Sequence, residues 1–384
     1  MQQILYGIDV FLQQAAVYKN KRIGFVTNDA AVSTSGILSR LALVQNGFTI
    51  AKLFSPEHGI GRSGDDGVAQ QNHTDIITRL PVISLYGTKL APTEEDLQDI
   101  DVVVFDIPGV GCRFYTYLWT MTHIMEACAQ YNKPLIILDR PNPTGALLKN
   151  AEGPFLDEKH CASFIGRWNI PVTHCCTLGE LALYFRAQKM PQLNIEIIKV
   201  QHYQRYHTAW QDFKFVPTSP AIQNIETAAL YPGMGLLEGI NINEGRGTTT
   251  PFTICGAPWI NSEKLLLHFQ QKQIPGIKAI AVSYTPNNSL YAGELCNGPA
   301  FEITNAAILR PVLTGIQLLQ ILFELYPQHI TERLYPTAAN PAGSNHLDKL
   351  LGIYNSFDIL KNGGEIETAI SKKWEMMIAA YLLY

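Results

Sequence analysis

Short runs of consecutive apolar residues, each followed directly by polar residues, dominate the first half of the 384-residue chain and most constrain its fold. Such runs occur at 23–27, 48–54, 102–105 and 135–138, and segments with helical spacing, such as 117–131, separate them. Strands that are apolar on both faces are typical of a parallel sheet that helices cover on both sides. We therefore predict an α/β fold with a doubly wound parallel sheet.

The second half of the chain has a different pattern. A proline-rich connector at 215–220 precedes a glycine-rich polar segment, a strand-like stretch at 277–284 and a final amphipathic helix near 366–381. These features predict a smaller α+β domain. We place the boundary so that 1–208 form the sheet domain and 209–384 the second domain.

Composition excludes several classes of protein. The 29 basic and 33 acidic residues give a net charge of −4, which argues against a nucleic-acid surface. A run of about 18 apolar residues is missing, so we expect no membrane span. The seven cysteines lack the CxxC pairs of a zinc site, and we expect neither a metal nor a cofactor. With no recognisable signal peptide, the expected location is cytoplasmic. The oligomeric state is not predicted.

Polar residues at the ends of the predicted strands are the first candidates for a site, since ligands of parallel sheets bind beyond the carboxyl ends of the strands. Those residues are Asn28, the pair Glu57 and His58, Asp106 and Asp139. Loops that follow strands are exposed to solvent and usually polar, which explains any one of these positions equally well. The repetition at four strand ends favours a common binding edge.

Glu57 stands in the most informative of these segments, because Pro56 and Gly59 predict a tight turn that fixes the side chains between them. Glycoside cleavage needs one carboxylic acid that stays protonated near neutral pH, usually through partial burial. Glu57 is our candidate for that acid, and His58 could orient it or contact a sugar hydroxyl. The alternative is a turn carboxylate that caps backbone amides.

The segment from Glu238 to Thr250 combines glycines with many directional polar groups. Glu238, Asn241 and Glu244 suit the hydroxyl and amide groups of a sugar, and the two-pronged guanidinium of Arg246 suits a carboxylate. Such a set favours a sugar with an acidic substituent. The alternative is a loop held by an internal arginine–glutamate pair.

An aromatic run and a glycine pattern each allow more than one interpretation. The aromatic run at 114–119, which includes Tyr115 and follows Arg113, could stack on a sugar ring or simply belong to the core. Gly59, Gly61 and Gly64 match GxGxxG, the basis of an alternative nucleotide-dependent transferase. A polar run beginning at 65–67 follows instead of a helix, and its acids would repel phosphate, so this alternative is weak.

Taken together, these segments resemble the bacterial exo-β-N-acetylmuramidases, a peptidoglycan glycosidase family formerly catalogued as a domain of unknown function. The resemblance spans nearly the whole chain and rests on stretches that include Val26-Thr27-Asn28, Pro56-Glu57-His58-Gly59, Asp139-Arg140-Pro141, Leu237-Glu238-Gly239 and Glu244-Gly245-Arg246-Gly247. It implies a Rossmann-like domain, a smaller second domain and an active cleft between them. It further implies that N-acetylmuramic acid is released from the non-reducing end of peptidoglycan fragments or muropeptides.

On this resemblance Glu57 is the general acid, and its partner is left open. Asp106 or Glu244 could activate water, or the acetamido group of the substrate could attack the anomeric carbon. Arg246 or Arg113 would meet the lactyl carboxylate. The remaining expected substrate contacts are Asn28, His58, Tyr115, Asp139, Glu238 and Asn241.

The chain departs from the family where Gln-Asp usually follows Phe-Asp-Ile, because Pro108 and Gly109 stand there. This loss of a carboxylate motivates an alternative function, a non-hydrolytic paralogue that binds muropeptides or sugars.

Overall fold

The structure is a computed structural model that describes residues 2–384. Its strands are β1 (Ile23–Thr27), β2 (Ile50–Ser55), β3 (His73–Thr74), β4 (Pro81–Ser84), β5 (Val102–Asp106), β6 (Leu135–Leu138), β7 (Glu152–Phe155), β8 (Pro171–Thr173), β9 (Ile195–Ile198), β10 (Ile277–Tyr284) and β11 (Cys296–Ile303). Its helices are α1 (Gly7–Gln14), α2 (Ser39–Gln45), α3 (Glu94–Leu97), α4 (Tyr117–Gln130), α5 (Leu178–Lys189), α6 (Ile225–Met234), α7 (Ser262–Gln271), α8 (Pro311–Leu325), α9 (His346–Leu351), α10 (Ser356–Lys361) and α11 (Ser371–Ile378).

The central sheet has the strand order β3-β4-β2-β1-β5-β6-β9. Every neighbouring pair is parallel except β3 with β4, which pair antiparallel at the edge. The six parallel strands therefore follow the order 3-2-1-4-5-6 of Rossmann folds, in which the strand order reverses between β1 and β5. The predicted α/β class is confirmed.

Helices cover both faces of the sheet. Successive strand residues point to opposite sides, so the apolar residues on each side pack against helices. On one face Phe25 and Val104 pack with Phe11 of α1 and with the nearby helix α2. On the other face Val26 and Phe105 pack with residues of α4 and α5, such as Met121. The doubly wound arrangement predicted from the apolar runs is thus observed.

The smaller C-terminal part is built on helices and an antiparallel ribbon of β10 and β11. Helices α6 and α8 approach so closely that a Cβ on Gly233 would fall 1.9 Å from the carbonyl oxygen of Pro311, which only glycine avoids. Trp374 of α11 returns to the first half of the chain and donates its indole N–H to the carbonyl of His174 at 2.7 Å. The apolar core on the α4–α5 side continues into this part, so the two halves share one core.

None of the helices within residues 2–384 is long and apolar enough to cross a membrane.

A capping box sets the start of α5, as its sequence predicts. The Thr177 hydroxyl accepts from the Glu180 backbone at 3.2 Å, and the Glu180 carboxylate accepts from the Thr177 backbone at 3.0 Å.

Candidate active site

A cavity of about 870 Å³ lies between the two halves of the chain. Its volume is within the range of roughly 300–1,000 Å³ that is usual for small-molecule sites. The first half lines it with Glu57, Asp66 and Thr116, and the second half with Arg246 and Tyr335. Both halves are therefore needed to form it.

Glu57 reaches this cavity from the turn that follows β2. The Gly59 backbone N–H donates to the Pro56 carbonyl at 3.1 Å, which closes the turn predicted from these two residues. His58 adopts a left-handed backbone with φ of 65°. Its ring Nδ1 lies 2.8 Å from the Gly64 carbonyl oxygen, so Nδ1 carries a proton and donates it there, and the ring lines the cavity.

The Glu57 side chain is 5% exposed, and hydrogen bonds hold both of its oxygens. The Gly67 backbone N–H donates to Oε1 at 3.0 Å, and the Thr116 hydroxyl donates to Oε2 at 2.6 Å. Burial raises the pKa of the Glu57 carboxyl, and the negative charge of Asp66 raises it further. The hydrogen bonds from Thr116 and Gly67 oppose this rise without cancelling it. Glu57 is therefore a buried carboxyl whose pKa lies above its ordinary value.

Asp66 is the neighbouring carboxylate, and its environment shifts its pKa in the opposite direction. Its Oδ2 accepts a hydrogen bond from the Tyr335 hydroxyl and lies 3.4 Å from Nη2 of Arg246. Burial alone would raise the pKa of Asp66, but Arg246 and Tyr335 outweigh that penalty, and the pKa lies below its ordinary value. Two adjacent carboxyl groups with pKa values pushed apart are the usual arrangement of an acid with an ionised partner.

A cluster of charged groups from the second half forms the opposite wall. Arg246 donates to Oε1 of Glu238 through Nε at 3.0 Å and Nη2 at 2.8 Å. Its Nε also lies 3.1 Å from Glu244, whose second oxygen accepts from Arg333 at 2.9 Å. Burial raises the pKa of Glu238 to about 7, against the lowering effect of Arg246. Arg246 is therefore fixed by carboxylates while still lining the cavity.

Aromatic rings make up much of the remaining cavity wall. Tyr115 and Phe114 pack edge-to-face on Tyr231, with ring centroids 6.0 and 5.0 Å apart, and Tyr231 packs on Phe252 at 4.8 Å. All four line the cavity. These rings belong to the core and also line the cavity. Packing in the core and a place at the cavity therefore do not exclude each other for the aromatic run at 114–119.

The structure places Asp106 outside this cavity. Its carboxylate is fully buried and binds the Arg140 guanidinium through both oxygens, with Nη2 to Oδ2 at 2.9 Å. Arg140 also donates to the Val32 carbonyl and to the Ser39 hydroxyl. This ion pair fills the end of the sheet where the chain direction reverses, so Asp106 has no open side from which to activate water.

Other residues expected at the site also have structural partners outside the cavity. Asn28 is fully buried beside the β1 end, where its Oδ1 accepts from the Ala30 backbone at 3.0 Å. Arg113 is fully buried and donates to three backbone carbonyls, including that of Leu350. A buried guanidinium used in this way is unavailable to a lactyl carboxylate.

Asp139, Asn241 and Glu244 are also absent from the cavity lining. Asp139 accepts hydrogen bonds from Thr177, Gly179 and Tyr384. Asn241 pairs with the backbone of residues 329 and 331. Glu244 is fully buried behind Arg246 and Arg333, so it orients these cations from behind.

The residues that sequence reasoning missed are Asp66, Thr116, Arg333 and Tyr335. Asp66 was noticed only as an acid that would repel phosphate, although its place in a glycine-bounded turn just after the Glu57 motif was a usable signal. Arg333 and Tyr335 have no local signal, because their contacts, Arg333 with Glu244 and Tyr335 with Asp66, are set by the fold.

Glu57, His58 and Asp66 each offer a ligand atom within 4.8 Å of the others, the one such cluster found among residues 2–384. These distances would allow the groups to share a cation. The hydrogen bonds that Glu57 accepts from Gly67 and Thr116 hold its carboxyl without a metal.

Comparisons with known proteins agree with this architecture. The family models described as exo-β-N-acetylmuramidase NamZ, N-terminal, and NamZ, C-terminal, match residues 23–226 and 229–384. The peptidoglycan β-N-acetylmuramidase NamZ of Bacillus subtilis (strain 168) is 39% identical over 326 residues, or 84% of this chain and 78% of that protein.

Two crystal structures of DUF1343 family proteins from Bacteroides fragilis NCTC 9343 resemble the whole chain. One superposes with a TM-score of 0.86 at 29% identity, and the other with 0.74 at 26%. Each comparison covers 100% of this chain and 99% of the crystallised one.

The fold and the cavity, together with these matches, define a glycoside hydrolase that acts on peptidoglycan. The chain belongs to the exo-β-N-acetylmuramidase NamZ family.

Proposed function

We propose that the enzyme hydrolyses the terminal β-linked N-acetylmuramic acid residue at the non-reducing end of peptidoglycan fragments, with Glu57 as the general acid. The observation that carries this proposal is the Glu57 carboxyl itself, which is buried, hydrogen-bonded through both oxygens and exposed only toward the cavity. Burial raises the pKa of the Glu57 carboxyl, which favours the protonated form that a general acid needs in order to donate to a departing glycosidic oxygen.

The cavity offers contacts for the groups that distinguish a muramic acid. Tyr115 provides aromatic surface for the apolar face of the sugar ring. Arg246 uses Nε and Nη2 for its carboxylate partners, and we assign its Nη1 edge to the lactyl carboxylate of the substrate. His58 presents Nε2 to a sugar hydroxyl.

The departure from the family at Pro108 and Gly109 lies apart from this chemistry. Neither residue lines the main cavity, and Gly109 instead borders a minor cleft with Leu178 and His174. The missing carboxylate therefore leaves the Glu57 site intact, which supports a hydrolytic function over the non-hydrolytic alternative.

The test compares wild type with Glu57→Gln on two substrates. N-acetylmuramyl-β-1,4-N-acetylglucosamine has a poor leaving group that needs the proton, whereas 4-nitrophenyl β-N-acetylmuramide has a good one that does not. We expect wild type to release N-acetylmuramic acid from both. We expect Glu57→Gln to lose roughly 10²–10⁴-fold in kcat on the disaccharide and much less on the nitrophenyl glycoside.

Equal losses on both substrates would argue against proton donation by Glu57. Binding of the disaccharide without any turnover by wild type would favour the non-hydrolytic alternative. Circular dichroism of Glu57→Gln serves as the control for folding.

A further inference from the structure

We propose that Asp66 is the catalytic nucleophile, so that the glycosidic bond is cleaved with net retention of configuration at the anomeric carbon. This inference rests on the proposed function and names the partner of Glu57 in the same site. It replaces the two carboxylates first considered, since Asp106 is bound to Arg140 outside the cavity and Glu244 is buried behind two arginines.

The spacing of the two carboxyl groups is the first argument. The nearest oxygens of Glu57 and Asp66 lie within 4.8 Å of each other. Retaining glycosidases hold their carboxyl pair about 5–5.5 Å apart, whereas inverting enzymes leave roughly 6.5–9.5 Å to admit a water molecule. The pair in this cavity is too close to place that water between them.

The loop that carries Asp66 fixes this spacing. Gly67, the next residue, donates its backbone N–H to Glu57 at 3.0 Å, so one peptide unit and one hydrogen bond join the two carboxyl groups. Gly67 has a left-handed φ of 71°, and a Cβ there would lie 2.8 Å from the side chain of Thr337. Only glycine allows the loop to settle against the second half in this way.

The two oxygens of Asp66 have different surroundings. Oδ2 is held by the Tyr335 hydroxyl and by Arg246. Oδ1 lies 4.0 Å from Nε2 of His58. The side chain is 33% exposed and lines the cavity, so Oδ1 is the oxygen free to reach an anomeric carbon.

These surroundings also suit a nucleophile electrostatically. Arg246 and Tyr335 favour the ionised form of Asp66 and lower its pKa, while the same carboxylate helps to keep Glu57 protonated. The two groups therefore hold the protonation states that the first step requires.

In the first step Asp66 Oδ1 forms a bond to the anomeric carbon as the bond from that carbon to the glycosidic oxygen breaks. The Glu57 proton passes to the departing oxygen. In the second step water attacks the glycosyl ester, Glu57 takes a proton from the water, and Asp66 leaves as a carboxylate. Water is the sole co-reactant.

The first experiment follows the initial product of wild type on the disaccharide by proton NMR. We expect the β-anomer of N-acetylmuramic acid to appear first and the α-anomer to grow in by mutarotation. This measurement uses unmodified enzyme, so it does not depend on the folding of a variant. Initial release of the α-anomer overturns the inference and leaves the proposed function standing, whereas no release by wild type overturns both.

The second experiment separates Asp66 from the acetamido group of the substrate, since participation by that group would also retain configuration. Asp66→Gly should lose more than a thousandfold in kcat on the nitrophenyl glycoside. Sodium azide should restore activity at least tenfold and give the α-glycosyl azide, because azide occupies the space of the missing carboxylate. Asp101→Asn, a change at an exposed acid outside the cavity, should retain wild-type rates and respond little to azide.

Glu57→Ala with azide is the matched comparison and should give the β-glycosyl azide, because azide then attacks an intermediate formed on Asp66. Retention by wild type without α-azide formation by folded Asp66→Gly would overturn the assignment in favour of the acetamido group. Near-normal turnover by Asp66→Gly would overturn it as well.

Discussion

Two pairs of acidic residues lie beyond the carboxyl ends of strands in one sheet, yet they have different surroundings. Glu57 and Asp66, on the β2 side, face a cavity, and Asp66 leaves its Oδ1 open to it. Asp106 and Asp139, at the ends of β5 and β6, are buried among protein partners, an arginine in one case and three hydrogen-bond donors in the other. The first pair is suited to chemistry and the second to holding the fold.

A strand end supplies a place for a functional carboxylate, but the surroundings of that carboxylate decide its role. The Arg140 guanidinium fills the point of strand reversal where other Rossmann folds bind their ligands. The open site is instead displaced toward β2, where the second half of the chain closes over the Glu57 turn.

The largest effect is expected on stability, when the buried ion pair of Asp106 and Arg140 is broken. Asp106→Asn would leave the buried Arg140 guanidinium without its counter-charge, and the free energy of unfolding should fall by about 3–5 kcal/mol. Turnover by the folded fraction should remain near wild type. Urea unfolding and initial rates measure the two quantities.

Asp101→Asn provides the control, because its ion pair with Arg22 is exposed and should add little to stability. A stable but inactive Asp106→Asn would show that Asp106 takes part in catalysis after all, and the contrast between the two pairs would fail.

Asp139 should reveal its burial through the pH dependence of stability. Burial raises its pKa to about 6, against the hydrogen bonds from Thr177 and Tyr384. Folding thus favours protonated Asp139, and this stabilisation is complete below about pH 4 and lost as the pH rises through about 6. Relative to Asp139→Asn, wild type should lose about 3 kcal/mol between pH 4 and 7. Urea titrations at several pH values test this, and parallel pH profiles would contradict it.

Gly67 offers a way to disturb the open pair without touching either carboxyl. Gly67→Ala would push a Cβ into Thr337 and move the amide that donates to Glu57, so kcat should fall about a hundredfold. Gly36→Ala is the matched control, since Gly36 also has a positive φ but has open space around it. Both variants should lose about 1–2 kcal/mol of stability. Equal kcat values for the two would contradict a geometric role for Gly67.

The smallest effect is expected at the position where the chain departs from its family. Replacing Pro108 with Gln and Gly109 with Asp should change kcat/KM on the disaccharide less than threefold, because this segment lies outside the cavity. A Cβ on Gly109 would meet Leu178 at 3.4 Å, an ordinary contact. A gain of tenfold or more would mean that the family carboxylate acts in the reaction.

The sequence predicts those features that depend on short stretches of chain. The buried strand at 135–138, the capping box of Thr177 and the turn from Pro56 to Gly59 all follow from local pattern, and the structure has each of them. Glu57 was chosen as the acid from the same turn.

The environment of each carboxylate is not local, which is why the remaining site residues were harder to identify. Tyr335 meets Asp66 across 269 positions of the chain, and Arg140 meets Asp106 across 34. Pattern alone places Glu57 and Asp106 on the same polar edge of the sheet. Only the packing of the two halves shows that one stays open and the other is neutralised.

Proton donation by Glu57 depends on its burial beside the charge of Asp66, both of which raise the pKa of its carboxyl. Carbon-13 NMR of glutamate-labelled protein measures this directly, with Glu57→Gln to assign the signal. The carboxyl of Glu57 should titrate above the ordinary pKa of a glutamic acid, and Asp66→Asn should lower that pKa by removing the neighbouring charge. A Glu57 that titrates at or below its ordinary value, or that does not respond to Asp66→Asn, would contradict the account.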